Sequence, residues 1–299
     1  MTTLTTSVWG RKIRSSISNV LALLREVARR PSGLFGLTVV VALIIILIFA
    51  PALAPYGDAK QDISNRLQGP SAAHWLGTDH LGRDLLSRLL FGTRVALGTA
   101  FPAVLGAVTG GLILGLVAGF LGGNVDNVIL VLTDSMQAFP AVILALALLA
   151  LLGSSTTNVI IVIVIAFMPG YARVVRAQVL SVKDNPFIEV ERALGASNAR
   201  IILVHILPNI LAPLVILLAM DLPSAITFEA GLSFLGLGVK PPTPSWGVIL
   251  ADGFSKIRNS PWPVLWAGFA LMLTTLGFTL FGETLRDLLD PKLAGARRA

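Results

Sequence analysis

The chain has 299 residues; 55% are hydrophobic, only 13% are charged, and the formal net charge is +7. A soluble domain carries about 25% charged residues, so this composition is that of an integral membrane protein, and the Lys and Arg excess reports topology. A basic face interleaved with aromatics is absent, which argues against nucleic acid as a partner, and the lack of any cysteine excludes disulfides, thiol catalysis and Cys-type zinc sites.

Residues 11–30 place Ile13, Ile17, Val20, Leu24 and Val27 at helical spacing, with basic residues opposite. The pattern suits an amphipathic helix on an anionic inner leaflet and equally a solvated tail. The first apolar run begins near Leu34 and is long enough to span, which predicts a retained anchor rather than a cleaved signal. A spanning helix needs about 20 mostly apolar residues. Six windows qualify: 34–54, 95–121, 128–152, 157–176, 209–232 and 262–282. The period-2 alternation of a membrane barrel is missing, so the expected fold class is all-α, a polytopic bundle of six transmembrane helices.

The segments between these windows set the organisation. Residues 1–33 form an N-terminal segment, 55–94 an external linker, 95–285 the main helical core and 286–299 a C-terminal tail. Arg11, Lys12, Arg14, Arg25, Arg29 and Arg30 precede the first span, and Arg286, Lys292, Arg297 and Arg298 follow the last, which places both ends in the cytoplasm. Residues 170–208 then fall inside, and 55–94 and 233–261 outside. The 55–94 segment resists this rule, because it carries Lys60, Arg66, Arg83, Arg88 and Arg94.

Within the second window, Gly111, Gly115, Gly119 and Gly123 recur every four residues, with Gly106 and Gly110 above them. Such a face lets a neighbouring helix backbone come close. Three acids fall on spans. Asp134 lies on the third, with Gln137 nearby, and Asp221 and Glu229 lie on the fifth. Intramembrane acids are candidates for a polar pathway; the alternative is that they are solvated or paired near the membrane faces. His74, His80 and His205 do not group, so no metal site is expected. A phosphate-cradling G-x-x-x-x-G-K-[S/T] loop is absent, so ATP is not bound in that way.

Residues 189–208 read E-V-E-R-A-L-G-A-S-N-A-R-I-I-L-V-H-I-L-P. Glu189, Glu191, Arg192, Ser197, Asn198 and Arg200 give this segment a polar face, and Ala193, Leu194, Ile201 and Ile202 an apolar one. Gly195 permits a turn that other residues resist, Ala196 follows it, and Pro208 suits the start of the next span. Read alone, the segment is either an ordinary loop with an amphipathic helix or a face offered to a soluble partner.

This segment resembles the E-A-A-x3-G-x9-I-x-L-P signature of ABC-importer permeases. Glu189 stands at the E, Gly195 at the G and Leu207-Pro208 at the L-P. Val190 and Glu191 replace the alanines, and His205 replaces the I, with Ile206 after it. Residues 74–94, 229–238 (E-A-G-L-S-F-L-G-L-G), 241–247 (P-P-T-P-S-W-G) and 281–291 also resemble the dipeptide/oligopeptide/nickel branch, in its second permease subunit. The resemblance implies a type I bundle in the cytoplasmic (inner) membrane of a bacterium or archaeon. It implies a homologous but distinct permease partner, two ATP-binding subunits and an external substrate-binding protein. The coupling segment would be residues 187–208, with Glu189, Glu191, Arg192, Ala193, Gly195, Ala196, Ser197 and Arg200 as the contact. No cofactor is expected on this chain, with ATP and Mg held by the ATPases, and no catalytic residue. The implied cargo is a di- or oligopeptide, with nickel, an opine, a sugar or a glutathione-like compound as alternatives. An ion-coupled carrier or a channel is a more distant alternative.

Overall fold

The computed structural model describes residues 21–289. The expectations for residues 1–20, which hold most of the amphipathic N-terminal pattern, and for the tail from 290 onward lie outside the described residues. The elements are α1 Pro31–Leu53, α2 Leu85–Leu121, α3 Gly123–Gln137, α4 Ala141–Leu152, α5 Thr156–Lys183, α6 Pro186–Ala193, α7 Leu207–Phe234, α8 Trp246–Ser255 and α9 Trp262–Leu289. A short π-helical run, Ile201–Ile206, leads into α7. No strand occurs among the described residues. We refer to the two ends of the bundle as the α6 end and the α8 end.

Five helices are long and apolar enough to cross a membrane. The third expected span, 128–152, is not one rod: α3 and α4 meet at an angle of 89°. The break falls at Pro140, which lacks an N–H and whose ring excludes the carbonyl one turn back. Hydropathy passes through such a break unaltered, because Phe139 and Pro140 are apolar. A second difference concerns the linker, expected to run to residue 94. Helix α2 already begins at Leu85, where the Asp84 carboxylate accepts from the Ser87 backbone N–H and caps the first turn. Its first turns carry Arg88 and Arg94, so a hydropathy window rejects them, although a charged stretch outside the hydrocarbon core is free to be helical. At 1.5 Å per residue α2 is about 55 Å long, well beyond a bilayer core of about 30 Å. Helix α5 likewise runs past its expected end at 176, through Arg176 to Lys183. Helix α8 lies in what the sequence suggested was a plain external segment.

The central contact is α2 against α5. A Cβ on Gly106 would meet Val164, one on Gly110 the Met168 sulfur, one on Gly111 the Tyr171 Cβ, one on Gly115 the Ala172 carbonyl and Val175, and one on Gly119 Val179. These glycines are therefore the surface on which α5 lies. Gly123 is not part of it: Gly122 and Gly123 have φ of +68° and +56° and form the turn into α3. We expect Gly115→Val to force α2 and α5 apart, because the obstructing atoms include backbone. Overpacking of this kind costs about 1–3 kcal/mol or more. Thermal melting of the purified variant should show a drop of several degrees, and an unchanged melting curve contradicts the packing role.

Helix α1 sits at the edge of the bundle. Its Gly36 backs onto Phe281 of α9, and Val39 fits against Gly277. Leu34, Ile44, Ile45, Ile48 and Phe49 on the other face are exposed, which suits contact with lipid.

The α8 end is closed by a buried polar cluster. The Arg83 Nε donates to Asp79 Oδ2 at 2.6 Å, and Arg88 Nε lies 3.4 Å from the same oxygen. Asp79 Oδ1 also accepts from the backbone N–H groups of Leu81 and Arg83. His74 Nδ1 lies 2.9 Å from Asp84 Oδ1. Nearby, Ser245 caps α8 and Trp246 Nε1 donates to the Leu89 carbonyl of α2 at 3.1 Å. The motif-bearing segments 74–94 and 241–247 thus lock the connections at the α8 end onto the ends of the helices.

Candidate functional site

Helix α6 begins at Pro186, whose missing N–H costs nothing at a first helical position. Glu189 in its first turn and Arg192 in its last suit the helix dipole. Gly195 ends it with φ +81°. The Ala196 N–H donates to the Glu191 carbonyl at 2.9 Å, and the Gly195 N–H to Arg192 at 3.0 Å. This pair of bonds is a Schellman cap. Ser197 then caps the next turn, its Oγ accepting from the Arg200 N–H. A Cβ at residue 195 would meet nothing, so the left-handed backbone alone demands glycine. We expect Gly195→Ala to destabilise this cap by about 1 kcal/mol, seen as faster amide exchange in residues 190–197. Equal exchange contradicts the assignment.

Three contacts fix α6 to the bundle. Ile188 is fully buried, and so are Ile201 and Ile206 beyond the turn. His205 Nε2 lies 3.4 Å from Glu191 Oε1. The rings of Phe187 and His205 are 6.2 Å apart. With Ile188, Ile201 and Ile206 turned inward, Val190 and Leu194 face outward, 57% and 77% exposed, and Phe187, beside His205 on one side, is still 45% exposed. They recur at i, i+3 and i+7, so they form one stripe on α6. Glu189, Arg192, Ala193, Ser197 and Arg200 are exposed around it, and Glu191 and Ala196 are half-buried. The sequence grouped Leu194 with Ile201 on one apolar face. The structure separates them, because the Gly195 turn reverses the chain between the two. Val190, read only as a departure from the signature, is part of the stripe. A helical projection of 186–194 taken alone would have shown it.

The element behind α6 is tied to its neighbours by charge. Arg176 of α5 makes a two-pronged contact with Asp126 of α3. Arg173 Nη2 donates to Asp134 at 2.7 Å. Lys183 Nζ donates to the Phe120 carbonyl at the end of α2 at 2.8 Å. These contacts tie α5, which runs directly into α6, to both α2 and α3.

The four acid and amide candidates separate. Asp134 is exposed and paired with Arg173. Gln137 and Asp221 meet in one cleft of about 330 Å³, with Tyr171, Phe167 and Leu217. Glu229 is not there: it is fully buried, and its Oε1 accepts from Ser233 Oγ at 2.6 Å and Ser245 Oγ at 2.9 Å. Its place is a structural one, holding the start of α8 against α7. Tyr171 was missed; a lone tyrosine within an apolar span was the available signal. A separate cleft of about 440 Å³ lies between α7 and α9, lined by Ser224, Thr227, Thr275 and Thr279 among others.

A family model described as "Binding-protein-dependent transport system inner membrane component" matches residues 111–295. A second, "N-terminal TM domain of oligopeptide transport permease C", matches residues 23–70. The chain is 44% identical over 269 residues to the dipeptide transport system permease protein DppC of Alkalihalophilus pseudofirmus, covering 90% of this chain and 88% of the relative. It is 42% identical over 273 residues to the glutathione transport system permease protein GsiD of Escherichia coli O157:H7, covering 91% and 90%. Among solved structures, an inward-facing conformation of the MetNI methionine ABC transporter superposes with a TM-score of 0.57 at 17% identity. That superposition covers 69% of this chain and 98% of that one and speaks to fold alone.

Proposed function

Because the chain belongs to the family of binding-protein-dependent transport system inner membrane components, we propose that it serves as one permease of an ATP-driven importer. Its partners in this reading are a homologous second permease, two ATP-binding subunits and an external substrate-binding protein. ATP and Mg reside on the ATP-binding subunits, and this chain carries no cofactor of its own. Both termini face the cytoplasm, which puts the α6 end inside and the α8 end outside.

The observation that carries the reading is the stripe of Phe187, Val190 and Leu194 on a helix capped at Gly195 and anchored by Ile188. Large apolar side chains held outward at the aqueous end of a membrane bundle mark a protein contact. Glu189, Glu191, Arg192, Ala193, Ala196, Ser197 and Arg200 form the polar rim around it. Closure of the ATPases on ATP would move α6, and the ion pairs to α3 and the Lys183 cap on α2 would carry that movement into the spans. The assembly then alternates between inward-open and outward-open states. Residues 95–285 act as the moving core, and the span at 34–54 packs at its edge.

The cargo is a di- or oligopeptide. Relatives named for dipeptide and for glutathione transport are nearly equal in identity, at 44% and 42%, so a glutathione-like peptide is the second reading. The test is affinity purification of the tagged chain in mild detergent, with partners identified by mass spectrometry. Recovery of a second permease and ATP-binding chains supports the reading. A chain recovered alone and transport-competent after reconstitution overturns it.

A further inference from the structure

Asp221 differs from the other acids on α3 and α7. Asp126 and Asp134 are paired with arginines, and Glu229 is held by two serine hydroxyls. Asp221 has no basic partner among the described residues, yet it lies midway along α7, where an uncompensated carboxylate is costly. Beside it is Tyr171, midway along α5 and only 3% exposed, with a hydroxyl that finds no hydrogen-bond partner among the described residues. Gln137, at the end of α3 just before the bend, lines the same cleft. A carboxylate with no basic partner and a buried phenol beside it, opening on one cavity at mid-depth, are the marks of a site for a cationic ligand.

We propose that Asp221, Tyr171 and Gln137 form a site for a primary ammonium group, the N-terminal amine of a peptide in transit. This rests on the importer reading above and deepens it. An ammonium has three N–H donors and no acceptor. The cleft offers three acceptors to match: a carboxylate, a phenolic oxygen and an amide oxygen. The Phe167 ring adds a π face, which attracts a cation further. The volume, about 330 Å³, suits one terminal residue and not a whole oligopeptide. Leu217 and the small residues of α5 supply an apolar wall without side-chain-specific contacts. A free terminal amine is common to unmodified linear peptides whatever their side chains, so a site reading only that group passes many sequences.

The test uses the complete complex in nanodiscs without binding protein, with radiolabelled alanyl-alanine as probe. Wild type should bind it, and N-acetyl-alanyl-alanine should fail to compete. Asp221→Asn should weaken binding by about ten-fold or more, the effect of losing a charge-assisted hydrogen bond. Asp221→Glu should retain most of it, and Tyr171→Phe should lose several-fold. Co-purification of partner subunits with each variant reports that assembly is intact. Equal binding by Asp221→Asn, or equal competition by the acetylated peptide, overturns the site while leaving the importer reading in place. Binding of 22Na+ that depends on Asp221, with peptide binding unaffected, assigns the carboxylate to an inorganic cation and also overturns it. Failure of the assembled wild-type complex to bind or import any peptide removes the cargo reading, and this site with it.

Discussion

Leu194→Asp should abolish uptake while leaving the protein folded and inserted. Leu194 is 77% exposed, so its side chain contributes little to this chain's own core, and its loss costs little folding energy. In the assembled complex the same side chain is expected in an apolar pocket of an ATP-binding subunit. Truncating an anchor of that kind typically costs 2–4 kcal/mol of binding, about 30- to 1,000-fold, and a carboxylate adds a desolvation penalty. Uptake and recovery of the ATP-binding subunit should fall together. Val190→Asp should act similarly. Reversing the exposed charges, Glu189→Lys with Arg192→Glu, should do less, since exposed ion pairs contribute under about 1 kcal/mol. Normal ATPase recovery and uptake in Leu194→Asp contradict the assignment of the stripe.

Asp79→Ala should be among the most destabilising single changes in the chain. Its carboxylate faces Arg83 at 2.6 Å and Arg88 at 3.4 Å and also accepts two backbone N–H groups. Both guanidinium groups are almost wholly enclosed, with side chains 5% and 1% exposed. Removing the anion leaves two buried cations facing each other. Breaking a buried pair by removing one partner costs about 3–5 kcal/mol, a large share of the 5–15 kcal/mol that holds a typical domain. Asp252, 3.4 Å from Arg83 and a third exposed, offsets only part of this. The expected result is poor recovery of folded protein and a melting temperature lower by ten degrees or so. Asp79→Asn should be milder, because the amide oxygen still accepts from the loop backbone. A melting curve for Asp79→Ala within two degrees of wild type would show that the cluster does not hold the α8 end.

The parts of the fold set by local chemistry were legible in the sequence. Apolar run length gave six windows, five of which are single spanning helices and the sixth the bent α3–α4 pair, and the glycine spacing from Gly106 to Gly119 pointed to the helix face on which α5 packs. Gly195 was readable as a turn because few other residues tolerate a φ of +81°. Charged helical ends were not legible. Residues 85–94 of α2 and the last two turns of α5 are helical without being apolar, and hydropathy equates the two properties. The 89° bend was signalled by Pro140, but a proline inside an apolar run more often kinks a helix mildly, as Pro169 and Pro102 show by remaining within continuous helices. Side-chain destinations were the least legible. Asp221 and Glu229 lie eight residues apart on α7, yet one opens on a cleft and the other is sealed by Ser233 and Ser245. That difference depends on which helices pack where, and no local pattern encodes it. Arg83 and Arg88 looked like exceptions to the positive-inside rule for the same reason: both are buried against Asp79, with Asp252 near Arg83, inside the protein.

The absence of cysteine makes one measurement especially direct. A single cysteine placed at position 194, in a complex shown to retain uptake, is treated with short bifunctional thiol- and amine-reactive cross-linkers with and without ATP. The expected result is a cross-link to an ATP-binding subunit whose yield changes with nucleotide, and little reaction from a control cysteine at exposed Ile63 near the α8 end. A transport-competent complex that gives no such cross-link from position 194, or gives it equally from position 63, contradicts the claim that α6 is where this permease meets its motor.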